Sequence, residues 1–108
     1  MPLHDLTALE LRDRIAAKAI SSVEATKAVL DRIDRLDPTV GAYLAVFADR
    51  ALEAAQAVDR RIAAGENVGP LAGVPLAVKD VLCTSLGATT CGSKILENFH
   101  APYDATAV

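Results

Sequence analysis

No apolar run in this chain approaches the roughly 20 residues that a membrane helix needs, which excludes a helical span. The opening Met-Pro-Leu-His-Asp-Leu also lacks the basic-then-apolar pattern of a secretory signal. The expectation is a cytoplasmic address with no membrane partner. Metal-binding side chains are scarce too: the only cysteines are Cys83 and Cys91, and the only histidines His4 and His100. Two thiols do not make a disulfide framework, and a zinc site needs about four ligands. The cysteines are therefore read as small apolar packing residues, and no metal or cofactor site is expected in this chain. Clustered cations are missing as well. The net charge is −3, and Arg60-Arg61 is the only adjacent basic pair. Phosphate binding needs grouped Lys and Arg, so a nucleic acid acted on by this protein would be held by another subunit. Gly65, Gly69 and Gly73 follow neither nucleotide-loop pattern, and no repeat or low-complexity tract is present.

What remains is a chain of 108 residues, 52% apolar and 23% charged, enough for one small globular domain. Its character changes near Gly65. Residues 1–65 hold nine of the eleven cations and ten of the fourteen acids, whereas residues 66–108 are rich in Gly, Pro and Thr. The first part predicts three helices. Thr7 with Glu10 forms a capping box, flanked by Leu6 and Leu11 as a hydrophobic staple, and Ala8, Leu11, Ile15 and Ala19 share a face. Ser21 with Glu24 repeats the box for a second helix. Its stripe is Thr26, Val29, Leu30, Ile33 and Leu36, and it is expected to stop at Asp37-Pro38. A third helix starts at Asp49, aligns Ala51, Ala55, Val58 and Ile62, and ends at Gly65. Val40 to Phe47 is either a short strand or an extended connection.

In the second part, Leu71 to Val78 is a short apolar run read as a buried strand, with Pro75 as the discordant residue. The fold class is therefore α/β. Asp104 is an N-cap for a helix that the remaining four residues cannot complete, which predicts that the fold continues past Val108. Lys79 ends the apolar run. Desolvating a lysine there favours the neutral amine, which can take a proton from a hydroxyl. The alternatives for Lys79 are a solvated side chain or an ion pair with Asp80. Lys94 reads as a surface residue. Ser85 and Ser93 lie outside any Gly-x-Ser-x-Gly turn, and neither His4 nor His100 is placed as a general base.

Three strings carry a resemblance: Gly69-Pro-Leu-Ala-Gly-Val-Pro-Leu-Ala-Val-Lys-Asp80, Thr89-Thr-Cys-Gly-Ser-Lys-Ile-Leu-Glu-Asn-Phe99 and Pro102-Tyr-Asp-Ala-Thr106. The first resembles the Gly-Pro-Leu-x-Gly-x-Pro-x-x-x-Lys-Asp segment of amidase-signature enzymes. The other two are similar to the A-subunit branch of the tRNA-dependent amidotransferases within that family. The resemblance implies the N-terminal part of a mixed β-sheet core flanked by helices, truncated, with residues 66–108 bearing the strand and loop of the catalytic lysine. It makes Lys79 the proton-accepting member of a Ser-cisSer-Lys triad. Glutamine is the implied substrate and amidotransferase B and C subunits the implied partners, with ATP and Mg used by the complete complex on Glu-tRNA(Gln) or Asp-tRNA(Asn). The family's Gly/Ser-rich nucleophile segment is absent from these residues, so no role passes to Ser85 or Ser93, and the chain alone is expected to be inactive. The competing expectations are another amidase-signature hydrolase of small amides and a non-catalytic helical interaction module.

Overall fold

The computed structural model describes residues 2–108. Two compact units follow each other along the chain, Met1–Pro75 and Leu76–Val108.

The first unit is helical. A 3-10 turn at Leu3–Asp5 leads into α1 (Ala8–Ala16), then α2 (Ser22–Val40) and α3 (Ala48–Ala63). The Thr7 box forms in full: Thr7 Oγ1 accepts from the Glu10 amide at 3.2 Å, and Glu10 Oε2 accepts from the Thr7 amide at 2.7 Å. Leu6 and Leu11, the staple pair, join Ile15 and Ala25 in the core, with Leu3, Ile20, Ile62 and Val74 packed around them. Ala8 and Ala19, expected on the same face, are exposed.

α1 and α3 end in the same way. Lys18 N–H donates to Ile15 O and Ala19 N–H to Arg14 O; Gly65 N–H donates to Ile62 O and Glu66 N–H to Arg61 O. Both are Schellman ends, which require a left-handed residue just past the helix. Gly65 supplies it freely at φ 77°, but Lys18 adopts φ 61° with a side chain attached. That conformation costs an L-residue about 1–2 kcal/mol, partly offset by the greater freedom glycine has when unfolded. Lys18→Gly is therefore expected to stabilise the chain by about 0.5–1 kcal/mol in urea unfolding. A loss of stability would show that the lysine side chain makes a compensating contact.

Two expectations about α2 are corrected. The helix does not stop at Asp37; it runs through Pro38 to Val40 and turns off at Gly41, φ 67°. Proline in the last turn costs one internal bond there. Asp37 offsets the loss: its backbone oxygen accepts from Gly41 N–H at 2.7 Å, and its carboxylate accepts from the Ala42 and Tyr43 amides at 2.7 and 3.3 Å. At the other end the second capping box forms only by half. Ser21 Oγ accepts from the Glu24 amide, but the Ser22 and Val23 amides donate to Asp59 Oδ1 and Oδ2 at 2.8 and 3.1 Å. Asp59 stands near the end of α3, so α2 and α3 pack as an antiparallel hairpin. Residues 41–47 form an exposed connection, not a strand.

The same corner binds the segment after α3. The Ser22 side chain, 1% exposed, donates to Gly73 O at 2.7 Å. Gly73 has φ 88°, and a Cβ placed there would stand 3.2 Å from Ile15 Cγ2, Ser22 Cβ and Ser22 Oγ. Gly69 in the same string has open space around it and no such backbone demand.

The second unit, Leu76–Val108, consists of turns with one 3-10 helix at Lys94–Leu96. Thr89 N–H donates to Phe99 O at 2.9 Å and Ala105 N–H to Cys83 O at 2.8 Å, and Thr89 and Ala101 are its buried residues. The buried strand expected at residues 71–78 is not present, and no strand occurs among the described residues. Leu76 is 81% exposed, Pro75 has no amide to donate, and no neighbouring ladder lies alongside. The β part of the α/β expectation is thus not built by these residues. Nor does Asp104 cap a helix: its carboxylate accepts from the Ser85 amide at 2.7 Å. Among the described residues no helix is long and apolar enough to cross a membrane.

Candidate functional site

Lys79 lies at the start of the second unit, in the turn where the Leu82 amide donates to its carbonyl at 3.0 Å. Its side chain is exposed, and no ion pair among the described residues includes it. The burial invoked to strip the amine of water is not supplied by this segment: Val78 before it and Val81 after it are exposed as well. Of the alternatives for Lys79, the pair with Asp80 is not formed and the solvated side chain is.

Asp80 is occupied elsewhere. Its Oδ1 accepts from the Thr90 amide at 2.8 Å, its Oδ2 is hydrogen-bonded by the Thr90 hydroxyl, and its backbone oxygen accepts from the Cys91 amide at 3.2 Å. Thr90's hydroxyl and then its amide, with the Gly92 amide adding to them, hold the Asp80 carboxyl below the usual carboxylate range despite some desolvation. A depressed folded value means that this tie contributes in full above the ordinary carboxylate range. It is lost as pH falls through the lowered one.

The presenting backbone is contorted to make these bonds. Cys91 at φ 51° and Gly92 at φ 71° are successive left-handed residues just after Thr90, and the first of them is not glycine. Such a conformation persists where surrounding bonds over-determine it.

The other residues weighed from the sequence stay apart from Lys79's turn in role. Ser85 donates its amide to Asp104, and Lys94 lies exposed at the start of the 3-10 helix. Cys83 and Cys91 are both free thiols. Among the described residues no three of His, Cys, Asp or Glu group closely enough to hold a metal ion. Thr90 and Asp59 were not picked out by periodicity or spacing. Thr90 sits in one of the quoted strings, its only signal in the sequence, and Asp59 carries none, because its partners Ser22 and Val23 are 37 and 36 residues away.

Comparison with known proteins agrees with the strings. Residues 24–108 match the family model described as amidase. The A subunit of glutamyl-tRNA(Gln) amidotransferase from Geobacter metallireducens is 56% identical over 108 residues, which are 100% of this chain and 22% of that protein. Its counterpart of the same description from Acidothermus cellulolyticus is 62% identical over 102 residues, 94% of this chain and 20% of its own. One solved structure is described as an unexpected vestigial protein complex that reveals the evolutionary origins of an s-triazine catabolic enzyme, with inhibitor bound. It is similar at TM-score 0.85 and 32% identity, over 92% of this chain and 22% of its own. The chain thus spans about a fifth of the length of the curated relatives it matches, in their N-terminal portion.

Proposed function

This chain belongs to the amidase family, and on that premise we propose that it forms the N-terminal portion of the glutamine-hydrolysing A subunit of a tRNA-dependent amidotransferase. The observation that carries the reading is the similarity of nearly the whole chain to the A-subunit relatives, with Lys79 at the Lys-Asp end of the family string and in no ion pair among the described residues. In the complete protein, two serines outside these 108 residues form the triad with it. One attacks the glutamine side-chain amide, the other relays the hydroxyl proton, and the Lys79 amine receives it. The proton returns to the leaving nitrogen as the C–N bond breaks and ammonia passes on; water then hydrolyses the serine ester, releasing glutamate and restoring the hydroxyl. The mixed β-sheet core belongs to the complete fold, where neighbouring strands would cover the apolar run before Lys79 and make the neutral amine favourable.

Partners follow the same logic. B and C subunits complete the cytoplasmic complex, and the partner subunit holds Glu-tRNA(Gln) or Asp-tRNA(Asn), ATP and Mg, consistent with a net charge of −3 here. A second reading, hydrolysis of a different small amide, is favoured by the matched family model, whose description is amidase and names no substrate.

The test is a chimera in which these 108 residues replace the matching N-terminal portion of the Geobacter metallireducens protein, assembled with that organism's partner subunits. It is expected to release ammonia from glutamine, while the 108-residue chain alone releases none. A chimera that ignores glutamine would overturn the reading, and one that prefers another amide would establish the second. Ammonia from the isolated chain, abolished by Lys79→Ala, would refute the assignment of the nucleophile to residues outside it.

A further inference from the structure

Lys79 and Asp80 are neighbours in sequence and carry opposite charges, yet they do not pair; Asp80 is bonded instead through Thr90 and Cys91. Resting on the role of Lys79 proposed above, we infer that Thr90 is a positioning residue that holds the Asp80 carboxylate away from the Lys79 amine and so keeps that amine able to accept a proton.

The argument is electrostatic and geometric. A carboxylate within about 4–6 Å of a lysine favours its charged form, by about 1–3 pH units. A lysine that must collect a proton during the reaction is disabled by such a partner. The residue next to Lys79 in sequence is an acid, and the turn across Lys79 to Leu82 leaves the two side chains no helix or ladder to separate them. Separation comes from the facing segment. Thr90 offers both its amide and its hydroxyl, one to each carboxylate oxygen, and the Cys91 amide fixes the Asp80 carbonyl. The left-handed turn at Cys91 and Gly92 bends that segment into place. The depressed titration of Asp80 accords with a carboxylate satisfied by Thr90. The segment packed against Asp80 brings one other titratable group, the Cys91 thiol, and Lys94 follows it in sequence.

Valine in place of Thr90 removes the hydroxyl donor, keeps the shape and loosens the tie on Asp80. In the chimera, Thr90→Val is expected to move the acid limb of the pH profile for glutamine hydrolysis upward by about one pH unit, roughly a ten-fold loss at a pH below the limb. The loss should shrink at high pH. Thr90→Ser should restore the original limb. Adding Asp80→Asn to Thr90→Val should also return the limb, because the released group no longer carries charge. A uniform loss at every pH, not restored by Asp80→Asn, would show that Thr90 serves only to order the segment and would overturn the inference. So would an unmoved limb in a Thr90→Val chimera that remains active. Failure of the underlying reading looks different: Lys79→Ala would then hydrolyse glutamine as fast as the parent chimera.

A second readout does not depend on turnover. Carboxyl 13C titration of the parent chimera should give Asp80 a value below the usual carboxylate range, and Thr90→Val should raise it. No change on substitution would contradict the tie itself.

Discussion

Lys79→Ala in the chimera will lower glutamine hydrolysis by about 10³- to 10⁴-fold, and Lys79→Arg will not rescue it. The size follows from the role: a positioned proton acceptor contributes about 10²- to 10⁴-fold, and removing one member of a coupled triad disables the others with it. Arginine keeps the positive charge and much of the length but stays protonated throughout the accessible pH range, so it can carry no proton away. A lysine that merely attracted an anionic substrate would behave in the opposite way, with arginine close to wild type and KM the affected constant. Because Lys79 is exposed and in no ion pair among the described residues, its removal should leave the melting temperature of the 108-residue chain within a degree or two. Activity kept within ten-fold in Lys79→Ala would end the assignment.

The largest effect on stability belongs to a residue that contributes no side chain. Gly73→Ala is expected to destabilise the chain by about 2–3 kcal/mol, a melting-point drop of roughly 10–20 °C for a unit of this size. Two causes add. The backbone at φ 88° is unfavourable for any L-residue, and the new methyl would meet Ile15 and Ser22 at 3.2 Å. Ser22 cannot retreat, since its side chain is nearly fully buried and bonded to Gly73 O while its amide is bonded to Asp59. Gly69→Ala, four residues earlier and in open space, should be within about 1 kcal/mol of the parent. Equal losses at both glycines, measured by thermal melting, would mean that the string resists substitution for some reason other than this close approach.

These two residues also mark how much could be read in advance. Local signals translated well: the Thr7–Glu10 box, the Leu6–Leu11 staple and the Gly65 helix end are each set within a few residues, and each formed. Pro38 misled because the aversion of the preceding residue to helical geometry is a preference that Asp37 overrides, its carboxylate capping the amides just past the last turn. Leu71 to Val78 misled for a different reason. Apolarity and valine content record what a segment would be buried against, and a strand needs a neighbour that these residues do not provide. The site followed the same division. Lys79 was legible through a string shared with a family, whereas Thr90 and Asp59 act across 10 and 37 residues, respectively, a separation that no period or spacing encodes.

The Ser22–Gly73 bond joins residues 51 apart, whereas α2 and α3 are linked by the short connection 41–47. Closing the longer loop costs more chain entropy before any contact rewards it. The helical hairpin should therefore form early, with the Gly73 corner docking after the rate-limiting step. Damage at this corner will then show as faster escape from the native state, with the rate of reaching it almost untouched. In a cell, a lesion there shortens the protein's lifetime and leaves its synthesis and initial collapse as before.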